Sequence, residues 1–314
     1  MKPLIIIVGP TAVGKTALGV SLAKSLDGEI ISGDSIQVYK RLNIGSAKPT
    51  REEQQNIPHF LLDILDPTEP FTVAQFQKMA LAQIQEIQSR GKVPLIVGGT
   101  GLYIRSLLDP FDFSENSSSE IREGWANFLE KEGKEKLHQA LIEVDPVSAV
   151  RLHPNDTRRI IRALEVNDLT GKPFSEQRGS LDYEYPSLDP SILYIGLTAP
   201  REVIYDRVNR RCEEMMQEGL LKETLDLLKD GYDRRLKPLQ SIGYRHAIWA
   251  LKGKVTSSEM LRLFQRDTRH FAKRQLTWFK RDPRIQWYDT QKHNLSILSD
   301  EISKTCRGLE SRVK

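Results

Sequence analysis

The sequence predicts an α/β fold, a P-loop parallel sheet flanked by helices and interrupted by a helical insertion domain. Three observations carry this. Short apolar runs alternate with helix-periodic stretches, the first run leads straight into a glycine-rich turn, and the alternation lapses in mid-chain before it resumes. With 314 residues, 39% hydrophobic and 28% charged, the chain has material for a substantial core and a second compact unit, and it lies outside the disordered class.

Leu4 to Val8 is an apolar run suited to a buried strand, Gly9 to Thr16 is the turn, and Ala17 to Leu26 carries apolar residues at helix spacing. A second strand, Glu29 to Ser32, ends at Gly33-Asp34. A helix over Thr72 to Ser89 precedes the third apolar run, Val93 to Val97, which stops at Gly98-Gly99-Thr100-Gly101. The polar stretch Ser114 to Ser119 then opens a charged, helix-periodic region, and strands return at Ser191 to Leu197 behind Pro186 and Pro190. The expected division is residues 1–112 and 189–314 as two parts of one P-loop core, with 113–188 as the helical insertion.

Cys212 and Cys306 are the two cysteines and lie far apart, so no disulfide framework and no paired-cysteine zinc spacing is present. This favours a reducing compartment, the cytoplasm. No stretch approaches the roughly 20 apolar residues of a membrane span. The net charge of +4 permits a polyanionic partner without requiring one.

Gly9-Pro10-Thr11-Ala12-Val13-Gly14-Lys15-Thr16 fits G-x-x-x-x-G-K-[ST] between a strand and a helix. Its backbone N–H groups and the positive end of the following helix suit a di- or triphosphate. Lys15 would neutralise the phosphates and the Thr16 hydroxyl would hold Mg²⁺. The motif leaves open whether phosphate is transferred, hydrolysed or released as diphosphate. Leu95-Ile96-Val97 ends in glycines and Thr100 where a hydrolytic NTPase usually has an acid, and Leu61-Leu62-Asp63 could substitute for it. Asp34 follows the second strand, at the sheet edge where ligands bind. There it is placed either to take a proton from a nucleophile or simply to make a turn.

Basic residues cluster in three places. Arg158-Arg159-Ile160-Ile161-Arg162 sets an arginine row beside an apolar row, either for nucleic-acid phosphates or as a salt-bridged face. Asn155 or Asp156 would cap that helix. Arg201, Arg207, Arg210 and Arg211 form a second set, able to approach a phosphate. Arg269 to Arg274 and Trp278 to Arg281 interleave aromatics and cations, an RNA surface or simply core.

Ordered segments over most of the chain resemble the tRNA dimethylallyltransferase (isopentenyltransferase) family. They are the P-loop, Asp34-Ser35-Ile36-Gln37-Val38-Tyr39, Gly45 to Pro49, Gly98-Gly99-Thr100-Gly101-Leu102-Tyr103, His153 to Asp156 with Arg159 to Glu165, Ser241 to Arg245, and Ala272 to Gln275 with Thr277 to Phe279. Val13 stands where many members have Ser, and Phe60 follows His59 where a second His is frequent. The eukaryotic zinc finger is lacking, so the bacterial type is expected. The resemblance implies transfer of a dimethylallyl group from dimethylallyl diphosphate to N6 of the adenosine just 3′ of the anticodon, with diphosphate leaving. It implies Asp34 as general base, Thr100 orienting that acid or the adenine, and Lys15, Thr16 and Arg207 holding diphosphate with Mg²⁺. The base would be extruded into a channel whose mouth is lined by Asp34, Ser35, Ile36 and Gln37. Arg158, Arg159, Ile160, Ile161, Arg162 and Arg122 would meet the tRNA anticodon stem-loop, and the enzyme would act as a monomer. The competing readings are a small-molecule P-loop kinase using ATP and a non-catalytic RNA-binding module.

Overall fold

The structure, a computed structural model, describes residues 2–111, 118–176 and 185–312. These divide into two compact units, 1–108 with 187–314 and Asp109–Pro186. The polar run that suggested the first boundary, apart from Ser118 and Ser119, and most of the connector ahead of Pro186 lie outside the described residues.

The larger unit is a six-stranded sheet, parallel throughout. Its first half contributes β1 (Leu4–Val8), α1 (Lys15–Leu26), β2 (Gly28–Ser32), α2 (Arg51–Gln54), β3 (His59–Phe60), α3 (Val73–Ser89), β4 (Val93–Val97) and α4 (Gly101–Leu108). The smaller unit holds α5 (Ser119–Val144), α6 (Pro146–Arg151) and α7 (Thr157–Thr170). The chain then supplies β5 (Ile192–Thr198), α8 (Arg201–Gln217), α9 (Leu220–Lys229), α10 (Tyr244–Leu251), α11 (Ser257–Phe279), β6 (Gln286–Asp289) and α12 (Leu295–Arg312).

Strand order is β3-β2-β4-β1-β5-β6. β1, in the interior, is buried along its whole length, because a parallel sheet covered on both faces needs apolar side chains pointing both ways. One face rests on residues such as Ile6, Ile31, Phe76, Ile204 and Phe264, the other on Ile5, Ile7, Leu18, Leu22 and Leu298. Helix α3 begins where Thr72 and Gln75 form a reciprocal capping box. The carboxyl ends of β2 and β4 come together so closely that a Cβ on Gly98 would sit 2.3 Å from the Gly33 carbonyl oxygen. Glycine there lets Thr100 reach the turn after β2, its N–H donating to the Gly33 carbonyl and its hydroxyl accepting from the Ser35 N–H.

The smaller unit has its own core of Leu137, Leu141, Ala149, Ile160, Ala163 and Leu164. α5 breaks at Gly133, whose φ of 86° interrupts the helix. Buried Glu165 accepts from the Ser118 N–H, from Arg122 and from Arg162, each at 2.8 Å. Burial alone would raise this carboxyl; the hydrogen bonds from the two arginines and the backbone hold it below the usual range.

Candidate active site

The carboxyl ends of β1, β2 and β4, with α8 and α11, enclose a cavity of about 350 Å³ in the larger unit. Thr11, Lys15 and Thr16 of the phosphate loop line it, together with Asp34, Ser35, Ile36, Gln37 and Thr100. Ala12, Val13 and Gly14 border a separate depression, and Gly9 and Pro10 are buried beneath. The loop's curl depends on positive φ at Gly14 (102°), a conformation costly for any residue with a Cβ.

Asp34 does two things at once. Its Oδ1 accepts from the N–H groups of Ile36 (2.8 Å) and Gln37 (3.3 Å), so the turn reading is correct. No protein donor among the described residues engages its other oxygen, and the residue lines the cavity. The Thr100 hydroxyl accepts from the Ser35 N–H at 3.1 Å and so fixes the turn that carries Asp34.

Lys15 donates to the Pro10 carbonyl (2.8 Å). Burial, with Arg211 beside it and Asp34 acting the other way, lowers its ammonium to about 8. Arg211 lines the cavity, donating to Thr11 Oγ1 (3.3 Å) and to the Ala47 carbonyl (3.4 Å). This corrects the expectation for Arg207. One helical turn earlier on α8, Arg207 borders the outer depression and donates to Thr290 Oγ1 (3.2 Å). Of these two, Arg211 is the one that lines the phosphate-loop cavity, as Arg245 of α10 also does.

A second correction concerns Ile160, which is buried in the core of the smaller unit and has no surface to offer RNA; Ile161 is half-buried against the same core. Arg159 pairs with Asp156 (3.2 Å), and Arg122 and Arg162 with Glu165. Of the row, Arg158 is exposed with no carboxylate partner among the described residues. Asp156 occupies the cap position of α7, although without a side-chain capping bond. Asp63, the substitute acid, pairs with Lys48 and does not line the cavity. Of the C-terminal aromatics, Phe271 lines the cavity, whereas Phe279 is core and Trp278 packs against core.

Sequence reasoning assigned no role to Gln275, Glu223 and Tyr244, and placed Gln37 only at the channel mouth, yet these groups hold the site together. Gln275 of α11 accepts from the Thr11 N–H (2.9 Å) and donates to the Gly99 carbonyl (3.0 Å), tying the phosphate loop to the end of β4. Gln37 accepts from Ser32 and donates to the Ser46 and Ala47 carbonyls. The segment carrying those carbonyls is held by Glu223, which accepts from the N–H groups of Asn43, Ile44 and Gly45 and from the Tyr244 hydroxyl (2.6 Å). Glu223→Gln replaces one acceptor oxygen by a donor. It is expected to cost about 1–3 kcal/mol of stability, read as a lower urea midpoint with unchanged m-value; an unmoved midpoint would mean that the segment holds itself.

Thr16 is exposed beside the cavity, and among the described residues no group of three or more His, Cys, Asp or Glu side chains is arranged for a metal. That donor set fits Mg²⁺, which leans on substrate phosphates and water with few protein ligands. Beyond the phosphate loop, Val208, Cys212, Met215, Ile242, Phe264 and Phe271 give the cavity an apolar wall. The arrangement therefore combines an anion cradle, a carboxylate with one free oxygen and an apolar surface. Among the described residues no helix is long and apolar enough to cross a membrane.

Residues 37–282 match the profile of the family described as IPP transferase. The chain is 68% identical over 314 residues to the tRNA dimethylallyltransferase of Desulfitobacterium hafniense strain Y51, covering 100% of both chains. To that of Carboxydothermus hydrogenoformans it is 50% identical over 304 residues, 96% of each. Among solved structures it is similar to the full-length tRNA isopentenylpyrophosphate transferase of Bacillus halodurans, with a TM-score of 0.72, 41% identity and coverage of 98% of this chain and 96% of that one. It is also similar to a eukaryotic dimethylallyltransferase acting on tRNA, with a TM-score of 0.77 and 29% identity over 92% of this chain and 74% of that one. With full-length identity and a shared fold behind it, the chain belongs to the IPP transferase family, whose members here are the tRNA dimethylallyltransferases.

Proposed function

We propose that this transferase moves a dimethylallyl group from dimethylallyl diphosphate to N6 of the adenosine 3′ of the anticodon in tRNA. The observation that carries the reading is one cavity in which the phosphate loop, the free oxygen of Asp34 and an apolar wall meet. The phosphate-loop N–H groups, Lys15 and Arg211 hold the diphosphate, and the five-carbon tail lies on the apolar wall around Met215 and Phe264. N6 attacks C1 of the tail, the C1–O bond breaks, and diphosphate departs with the electron pair. Lys15 and Arg211 stabilise the charge that builds on the leaving oxygen. The N6 proton passes to Asp34, held in place by Thr100 and by its own turn. Mg²⁺, held by Thr16 and the diphosphate, would add further neutralisation of the leaving group.

Reaching N6 requires extruding the base from the anticodon loop into the cavity. Ser35, Ile36 and Gln37 line that entrance. Arg158, with Arg159, Arg162 and Arg122 on the same unit, would face phosphates of the stem-loop. We place the enzyme in the cytoplasm with its substrate, acting as a monomer.

The test is incubation of the purified protein with labelled dimethylallyl diphosphate, Mg²⁺ and an anticodon stem-loop. Label on the target adenosine is expected; no label, with ATP bound and its γ-phosphoryl transferred to a small molecule, would select the kinase instead.

A further inference from the structure

Behind the main cavity, between the start of α1 and strands β2, β3 and β4, lies a chamber of about 20 Å³. A water needs about 10–15 Å³, so the chamber takes water and nothing as large as a substrate group. Its polar lining is Thr16, Ser32, Gln37 and His59, set among apolar neighbours such as Ile30 and Leu62. Thr16 and Gln37 also line the main cavity and so stand between the two spaces. His59 belongs on this side of the sheet because it pairs with Ile30, whose face packs on Leu18 and Leu22 of α1.

The imidazole is held in one form. Its Nδ1 donates to the Ile57 carbonyl at 2.8 Å, and burial lowers the ring from its ordinary value, that carbonyl acting the other way, so it is neutral at pH 7. Nε2 therefore carries a lone pair. The atom is buried, and no protein group among the described residues engages it. A buried acceptor without a donor is costly. Its neighbours have nothing to give: Ser32 Oγ donates to Gln37 Oε1 at 3.2 Å, and Gln37 Nε2 donates to the Ser46 and Ala47 carbonyls. The side-chain donor left in the lining is the Thr16 hydroxyl, and it has the complementary need. A neutral hydroxyl that gives its oxygen to Mg²⁺ has its O–H polarised by the metal and must place that proton on an acceptor. We propose that one water molecule occupies the chamber, accepting from the Thr16 hydroxyl and donating to His59 Nε2 and Ser32 Oγ, so that His59 positions Thr16 for the Mg²⁺ that accompanies the diphosphate. His59 is thus a positioning residue for the donor site, and the proposal rests on the Mg²⁺–diphosphate reading given above.

The test is calorimetric binding of inorganic diphosphate to the full chain, once in saturating Mg²⁺ and once in EDTA. His59→Asn keeps an N–H for the Ile57 carbonyl and removes the Nε2 acceptor. It should weaken binding about tenfold in Mg²⁺ and leave the EDTA value unchanged. His59→Gln, which carries an amide oxygen out to the position of Nε2, should keep most of the wild-type gain from Mg²⁺. Thr16→Val should lose that gain, and adding His59→Asn to it should weaken binding no further. The proposal is overturned by an equal loss in both media, by no loss in either, by a loss in His59→Gln as large as in His59→Asn, or by a further loss on the Thr16→Val background. The wild type separates this proposal from the reading beneath it. A wild-type gain from Mg²⁺ that His59→Asn leaves intact sinks the water relay alone; a wild type that gains nothing from Mg²⁺ removes the metal from Thr16 and the relay with it.

Discussion

Asp34→Asn should lower the turnover of prenyl transfer by about 10²- to 10⁴-fold while leaving the protein folded and able to bind both substrates. The asparagine is chosen because of the double duty of the carboxylate. Its amide oxygen can still accept from the Ile36 and Gln37 N–H groups, so the turn survives. Its nitrogen cannot take a proton. Asp34→Ala would lose both functions and blur the answer. The measurement is single-turnover transfer at saturating donor and RNA, beside a thermal melt. A variant with wild-type turnover would show that N6 gives its proton elsewhere and that Asp34 is a turn residue alone.

Lys15→Met should lower kcat/KM for the donor by about 10²- to 10³-fold, because the ammonium both binds the diphosphate and steadies it as it leaves. The pH dependence follows from burial, which lowers this lysine from 10.5 to about 8. Diphosphate binds the protonated form, so in the wild type donor affinity is full below about pH 8 and declines as pH rises through that value. For stability the sign is the reverse. A lowered lysine makes its charged form a cost to the fold below about pH 8, relieved as pH rises toward 10.5. Lys15→Met should therefore be at least as heat-stable as the wild type at neutral pH while being catalytically crippled. A variant that loses both stability and activity would recast Lys15 as a structural residue.

The sheet was readable where strands are apolar runs. β1, β4 and β5 are such runs, buried along most or all of their length, and β2, Gly28–Ser32, is buried around the apolar pair Ile30 and Ile31. β3, with two half-buried residues, and β6, Gln286–Asp289 with an exposed first residue, carry no apolar signal and escape such a reading. The phosphate loop, Asp34 and Thr100 were legible for a topological reason: each directly follows a strand, and parallel strands end on one edge. Arg211 was missed in favour of Arg207 because two arginines one turn apart share a helix face in the sequence. Only packing shows which looks into the cavity. The family resemblance implied RNA contact for Ile160, although helix spacing already sets it in the apolar row that forms core. Glu223 and Gln275 grip loops 176 or more residues away in the chain, a relation that local spacing does not express.

Helix α1, which opens with Lys15 and Thr16, is backed by α12 through Ser21 on Ser299, Ser25 on Ser303, and the buried Leu298, Ile302 and Cys306. The phosphate-loop residues thus leave the ribosome well before the helix that backs them. At about 5–20 residues per second, roughly 14–60 s separate the two events. In that interval β1 also waits for β5, while the smaller unit, whose core is local, already has its complete sequence. A nascent chain can therefore hold a finished helical unit well before α12 has come to back α1 and the phosphate loop.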